Sequence, residues 1–221
     1  MYVPKHNRME DRAALLAYMR AYSFAALATA GAGGLTATHL PFVIEEEGGR
    51  ITLLAHMAKA NPQWRDFAAG ADALVIFMQP HAYVSPRLYD SRQNVPTWNY
   101  VAVHAYGRPE LIEERAAKLE LQRTLIRQHD AGYLAQLAEL PESYLDARLA
   151  AIVSFSIAVT RIDARYKLSQ DKNPAERERV ARELEASGEG VAAETARLMR
   201  KYNAMPDMHE ANKVPPAGEK T

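Results

Sequence analysis

An antiparallel α+β fold, mainly β, is predicted by three features of this 221-residue sequence. Three β-type runs between residues 23 and 55 are joined by short glycine- or glutamate-rich turns, which reads as a meander and not as strands alternating with helices. The best strand pattern, 97–107, sets Trp98, Tyr100, His104 and Tyr106 on one face against Val101 and Val103 on the other. Finally, no internal repeat, no Rossmann glycine fingerprint and no Walker motif occurs. About six strands of this length suit a small closed or half-closed barrel, because closure removes exposed strand edges.

Taken in order, Asn7 with Glu10 has the form of a capping box and predicts a helix over 8–22, its inner face formed by Leu15, Leu16, Met19 and Tyr22. A strand follows over 23–29, and Gly31, Gly33 and Gly34 turn the chain. The next strand, 35–44, contains Pro41, which must sit at an edge or a bulge. Glu45 to Gly49 forms a solvated hairpin turn into a strand over 50–55.

The stretch after that strand, 56–64, concentrates polar chemistry. Asn61-Pro62 pairs a capping residue with the type favoured at the first helical position, so strand, turn and helix start fall within a dozen residues. Such a turn presents backbone N–H groups beside a positive helix end and favours an anion. His56 and Lys59 are placed inside the turn; on residues alone it is anion-friendly, and most such turns bind nothing.

Beyond it come a strand over 73–78 and an irregular polar segment over 80–96, whose Tyr83 and Tyr89 suit either a binding role or a structural anchor. Helices are expected over 110–130 and 141–150. A final strand over 152–162 puts Val153, Phe155, Ile157 and Val159 on one face. Asn173-Pro174 with Glu176 opens another helix, Gly188-Glu189-Gly190 ends it, and a second follows over 191–202. A helix-turn-helix reading fails on charge. Six basic residues (Arg177, Arg179, Arg182, Arg197, Arg200, Lys201) meet six acidic ones (Glu176, Glu178, Glu183, Glu185, Glu189, Glu194), so a helical hairpin is expected. The resulting division is a domain over 1–170, a helical hairpin over 171–203, and a disordered tail over 204–221 rich in proline.

Composition limits the function. Lys+Arg 27 against Asp+Glu 27 argues against nucleic-acid binding through overall charge. The absence of cysteine removes disulfides, thiolate catalysis and cysteine metal sites, and fits a reducing compartment. The polar start, without an apolar core, is not a secretory signal. No apolar run approaches the roughly 18 residues that a membrane helix needs. A soluble cytoplasmic protein with no membrane partner is expected.

Six segments in series carry a family resemblance: Met1-Tyr2-Val3-Pro4-Lys5-His6, Ala37-Thr38-His39-Leu40-Pro41-Phe42, His56 to Trp64, His81-Ala82-Tyr83-Val84-Ser85-Pro86, Val95-Pro96-Thr97-Trp98-Asn99-Tyr100 and Tyr166-Lys167-Leu168-Ser169-Gln170. Together they resemble the PaiB-type FMN-binding negative transcriptional regulators over roughly residues 1–200. The resemblance implies a six-stranded FMN-binding split barrel with peripheral helices, and a homodimer with FMN at the subunit interface. It also implies that His56, Lys59 and Asn61 hold the FMN phosphate. Thr38, His39, Trp98 and Tyr100 have chemistry suited to the flavin ring and its edge. The competing roles are dimer-core packing for Trp98 and Tyr100 and an ordinary core or edge histidine for His39. Lys167, Ser169 and Gln170 are expected at the same interface, where Lys167 serves a phosphate or pairs with a carboxylate. Asn7 stands where the family commonly has an aromatic, Ala55 where it has glycine and Asp171 where it has asparagine, and 89–95 is shortened; none of these removes a phosphate donor.

Three functions follow as alternatives. One is a regulator in which FMN occupancy or redox state biases a repressing dimer. DNA contact belongs to this reading through the resemblance alone. A second is an FMN-dependent oxidoreductase or flavin reductase acting on a small molecule. The third is a split barrel that binds haem, through one of seven histidines, or no cofactor. No Ser-His-Asp, paired-carboxylate or histidine metal spacing stands out, so no catalytic residue and no metal site is assigned.

Overall fold

The computed structural model describes residues 1–204, so from residue 205 onward the expected tail lies outside the described residues. The strands are β1 (Phe24–Gly31), β2 (Gly34–Pro41), β3 (Val43–Glu47), β4 (Arg50–Ala58), β5 (Ala73–Val84), β6 (Thr97–Gly107), β7 (Pro109–Ile112), β8 (Ile152–Ala158) and β9 (Arg161–Lys167). The α-helices are α1 (Arg12–Ala21), α2 (Arg115–His129), α3 (Tyr133–Glu139), α4 (Glu142–Ala150), α5 (Pro174–Ala186) and α6 (Gly190–Asn203). One sheet has the order β2-β1-β5-β6-β9 and the other β3-β4-β8-β7. The fold is α+β with mainly antiparallel sheets, as expected. The chain divides into two compact units, one built from Met1–Asp11, Met78–Val103 and residues from Asp163 onward, the other from Arg12–Phe77 and His104–Ile162.

In the second unit, β1 and β2 form a hairpin closed at Gly31↔Gly34. The strand expected over 35–44 is two strands. Pro41 ends β2, and the Phe42 N–H bonds to the Ser23 carbonyl at 2.9 Å before β3 begins in the other sheet. β3 and β4 close at Glu47↔Arg50 through Gly48 and Gly49, at φ 54° and 78°, the left-handed pair that a two-residue hairpin turn of the primed type requires. Phe42, Phe67, Phe77 and Phe155 make the aromatic core; Phe67 and Phe155 have ring centroids 5.0 Å apart.

The strand expected over 152–162 also divides. Val159 and Thr160 turn their N–H groups to the carbonyls of Ile51 and Tyr106, both at 2.9 Å, which separates β8 from β9. The helix expected from residue 110 begins at Arg115, capped by Glu114, whose carboxylate accepts the Ala117 N–H at 2.7 Å. Residues 109–112 instead pair with β8 as β7, from Pro109↔Ile157 to Ile112↔Ser154. The three added strands, β3, β7 and β9, account for the difference between six runs expected and nine observed among the described residues.

In the first unit the expected helix start at Asn7 is corrected. Lys5–Asn7 is a single 3-10 turn, Arg8 forms a bridge with Arg165, and the Met9 N–H bonds to the Ala164 carbonyl. Backbone groups drawn into that pairing cannot also begin a helix, so α1 starts at Arg12. Residues 80–84, expected to be irregular, continue β5 with Pro80, Ala82 and Val84 buried. Asn173 and Glu176 form the expected capping box, and α5 and α6 pack together as a hairpin. Tyr202 of α6 meets Tyr166 of β9 edge-on, with centroids 4.8 Å apart.

Candidate functional site

The residues expected to hold a ligand fall into two groups, one in each unit. In the unit containing β4, the strand runs on to Ala58, paired with β8 as far as Ala58↔Ile152. His56 is therefore a strand residue opposite Ser154, not a turn residue. Strand pairing there takes the backbone that the sequence reading gave to the turn. The imidazole is half-buried, with Nδ1 3.2 Å from the Gln122 amide nitrogen of α2, and burial pushes its pKa below the ordinary value.

The turn itself is short. Lys59 N–H bonds to the Ala151 carbonyl and Asn61 N–H to the Ala58 carbonyl, both at 2.9 Å. The Lys59 side chain is exposed, with no partner among the described residues, while its carbonyl accepts from the Trp64 indole at 3.2 Å. Asn61 caps the following helix, Pro62–Ala69, which is 3-10 in form; its Oδ1 accepts the Gln63 N–H at 3.0 Å. The Asn61 amide also donates to the Thr38 hydroxyl at 2.9 Å, so β2 and the turn are joined side chain to side chain. His39, next along β2, is exposed and stacks on Phe24 instead, with centroids 6.3 Å apart.

Gln63 is a brace of this candidate site that sequence reasoning passed over. Its buried amide nitrogen reaches the Leu27 carbonyl, the Thr29 hydroxyl and the Thr36 carbonyl at 3.0, 3.1 and 3.2 Å. It fastens the helix start to both strands of the β1–β2 hairpin and so fixes where Lys59 and Asn61 stand. A glutamine in the first turn of a short helix gives no periodicity signal for such a role.

In the other unit, the Lys167 ammonium bonds to the Thr97 hydroxyl, and burial together with the neighbouring Arg165 charge lowers its pKa. Ser169 and Gln170 are buried and engaged internally. Ser169 Oγ accepts from the Asn99 amide at 2.9 Å and donates back to Asn99 Oδ1 at 3.2 Å. Gln170 accepts the Leu168 N–H at 2.7 Å and donates to the Tyr166 carbonyl, closing the turn after β9. Asn99 was legible in principle: it shares the buried parity of Val101 and Val103, where an amide needs a partner.

Trp98 and Tyr100 share a strand face, as the alternation requires, but their rings have different neighbours. Trp98 meets His81 and Tyr83, with centroids at 5.6 and 6.1 Å, and lines a cavity of about 600 Å³. Tyr100 lies beneath the Arg165 guanidinium at 5.4 Å, which also faces Tyr2. Among the described residues no group of three or more His, Asp or Glu is arranged to hold a metal ion, and no helix is long and apolar enough to cross a membrane.

Comparison with known proteins gives this geometry a context. The chain belongs to the family described as "Putative FMN-binding domain", which it matches over residues 1–161. That span contains Thr38, His39, His56, Lys59, Asn61, Trp98 and Tyr100 and stops before Lys167, Ser169 and Gln170. The chain is 37% identical over 202 residues to the protease synthase and sporulation protein PAI 2, the PaiB protein, of Bacillus subtilis (strain 168), covering 90% of this chain and 96% of that one. Among solved structures it is similar to the FAD and heme binding protein from Mycobacterium smegmatis, with a TM-score of 0.57 at 20% identity, covering 73% of each chain. The flavocytochrome Anf3 from Azotobacter vinelandii is similar to the same degree, with a TM-score of 0.57 at 20% identity, over 72% of this chain and 68% of that one. At that identity the likeness is one of fold.

Proposed function

We propose that this protein is a cytoplasmic FMN-binding split barrel that acts as a homodimer, with FMN at the subunit interface, and serves as a negative regulator of transcription. The observation that carries the FMN reading is the turn after β4, inside the family-matched span. There an exposed lysine with no partner among the described residues stands two residues from a helix cap tied to Thr38. The donor set fits a phosphate. Lys59 supplies a point charge, the helix start contributes roughly 0.3–1 kcal/mol, and Asn61, Thr38 and His56 supply polar atoms.

In this reading His39 serves the edge of the flavin ring, and Trp98, Tyr100, Lys167, Ser169 and Gln170 meet the same flavin from a second copy. When bound, FMN supplies a redox-active ring. The regulatory half of the proposal is supported by the 37% identity to a relative named for protease synthesis and sporulation. The visible spectrum after FMN addition and gel filtration is the test. Flavin bands that comigrate with a dimer are expected; a colourless protein with no uptake overturns the reading. A low-salt gel shift on upstream DNA then tests the regulator, and NAD(P)H oxidation by the FMN-loaded protein without such a shift replaces it with a reductase.

A further inference from the structure

The six acidic side chains of the helical hairpin are engaged unequally. Glu176 accepts the backbone N–H groups of Asn173 and Asp90 at 3.1 and 2.9 Å. Glu178 pairs with Arg182 and Arg200, Glu185 with Arg200, and Glu194 with Arg197. The carboxylates of Glu183 and Glu189 have no partner among the described residues. Glu189 stands at the cap position of α6, yet its side chain makes no cap hydrogen bond. Both line the cavity of about 600 Å³ that contains Trp98.

Other lining residues of that cavity are aromatic. Trp98 and Tyr83 are 52% and 50% exposed, which is unusual for rings of their size, and they stand edge to face at 76° beside His81. Leu184 and Val191 add aliphatic surface. Arg87 is the one arginine or lysine lining it, and its Nε donates to Ser85 Oγ at 3.2 Å. Two carboxylates against one guanidinium leave an excess of negative charge beside exposed indole and phenol rings. That combination attracts an organic cation twice, through Coulomb attraction and through the ring quadrupoles, while the rings cover its apolar body.

We infer that this cavity binds a small organic cation, an alkylammonium or quaternary ammonium with an apolar body, through Glu183, Glu189, Trp98 and Tyr83. The inference goes beyond the flavin reading and does not rest on it. Trp98 is the only proposed flavin residue among those lining the cavity, and a flavin phosphate would be repelled by the two carboxylates.

The test is isothermal titration calorimetry of the full chain, with and without FMN, using choline, phenethylammonium and 3,3-dimethylbutan-1-ol, the uncharged isostere of choline. Saturable binding of a cationic probe is expected, about tenfold or more tighter for choline than for the isostere. Glu183→Gln with Glu189→Gln should weaken choline by about tenfold, leaving the isostere, the melting temperature and FMN uptake unchanged. Equal binding of choline and its isostere, no saturable heat from either cation, or an unchanged affinity in the double variant overturns the inference. Competitive displacement of choline by FMN also overturns it, assigning the cavity to the flavin. A chain that takes up choline but no FMN fails the flavin reading alone.

Discussion

Asn61 donates to the Thr38 hydroxyl at 2.9 Å while its own Oδ1 accepts the Gln63 N–H at 3.0 Å. One side chain thus starts a helix and ties that helix to β2. Gln63 repeats the tie from the buried side, so the turn carrying Lys59 is braced by hydrogen bonds on two successive sides of the helix start.

The two jobs of Asn61 can be separated. Asn61→Ala loses the cap and the Thr38 bond, for an expected cost of about 1–2 kcal/mol. Asn61→Asp keeps the acceptor and loses only the donor, so it should cost less than about 1 kcal/mol. Urea denaturation of both variants gives the comparison. If the aspartate is as damaging as the alanine, the Thr38 bond and not the cap is the main contribution.

Lys59 offers the reverse case, a side chain with little structural role. It is exposed, and the turn uses only its backbone. Lys59→Ala should therefore leave the melting temperature within experimental error while weakening FMN binding by about tenfold, the loss of one charge–phosphate contact. Unchanged flavin affinity would move the phosphate elsewhere.

His56 makes stability depend on pH. Burial lowers its pKa from the ordinary value of 6.5, so the unfolded chain binds this proton before the folded one does. Its contribution is complete above about pH 6.5 and is lost as pH falls from there toward the lower folded value. His56→Gln should flatten this part of the profile. Urea midpoints at pH 7.5 and pH 5.5 measure it; equal losses in wild type and variant would show that other groups govern the acid limb.

The parts of this fold that were legible in the sequence are those where one local rule acts without competition. The strand Thr97–Gly107 was predicted to the residue because its alternation is unbroken, and the caps at Asn61 and Asn173 because each combines an amide with a following proline. Where a tertiary partner outbid a local rule, the reading failed. Asn7 and Glu10 satisfy the capping pattern, but Met9 N–H is taken by Ala164, 155 residues away in sequence. Residues 110–112 lie within the expected helix yet have β8 beside them. For the candidate site, residue types were legible and their partners were not: nothing in the spacing of Ser169, Gln170 or Gln63 indicates which backbone groups they serve.

Ser169 poses the most informative competition. It is the one non-glycine residue at positive φ among the described residues, at 62°, in the region that favours glycine. Ser169→Gly would relieve roughly 1 kcal/mol of backbone strain. It would also remove the hydroxyl that exchanges hydrogen bonds with Asn99, a fully buried amide, at about 1–3 kcal/mol for polar atoms left without that partner. The larger effect is the second, so the glycine variant should be destabilised by up to about 2 kcal/mol despite its better backbone. Ser169→Ala loses the same bonds and keeps the strain, and should be worse by about 1 kcal/mol. The expected order in urea is wild type, then glycine, then alanine. A glycine variant more stable than wild type would mean that the Asn99–Ser169 pair contributes less than the strain it holds in place, leaving the serine there unexplained by stability.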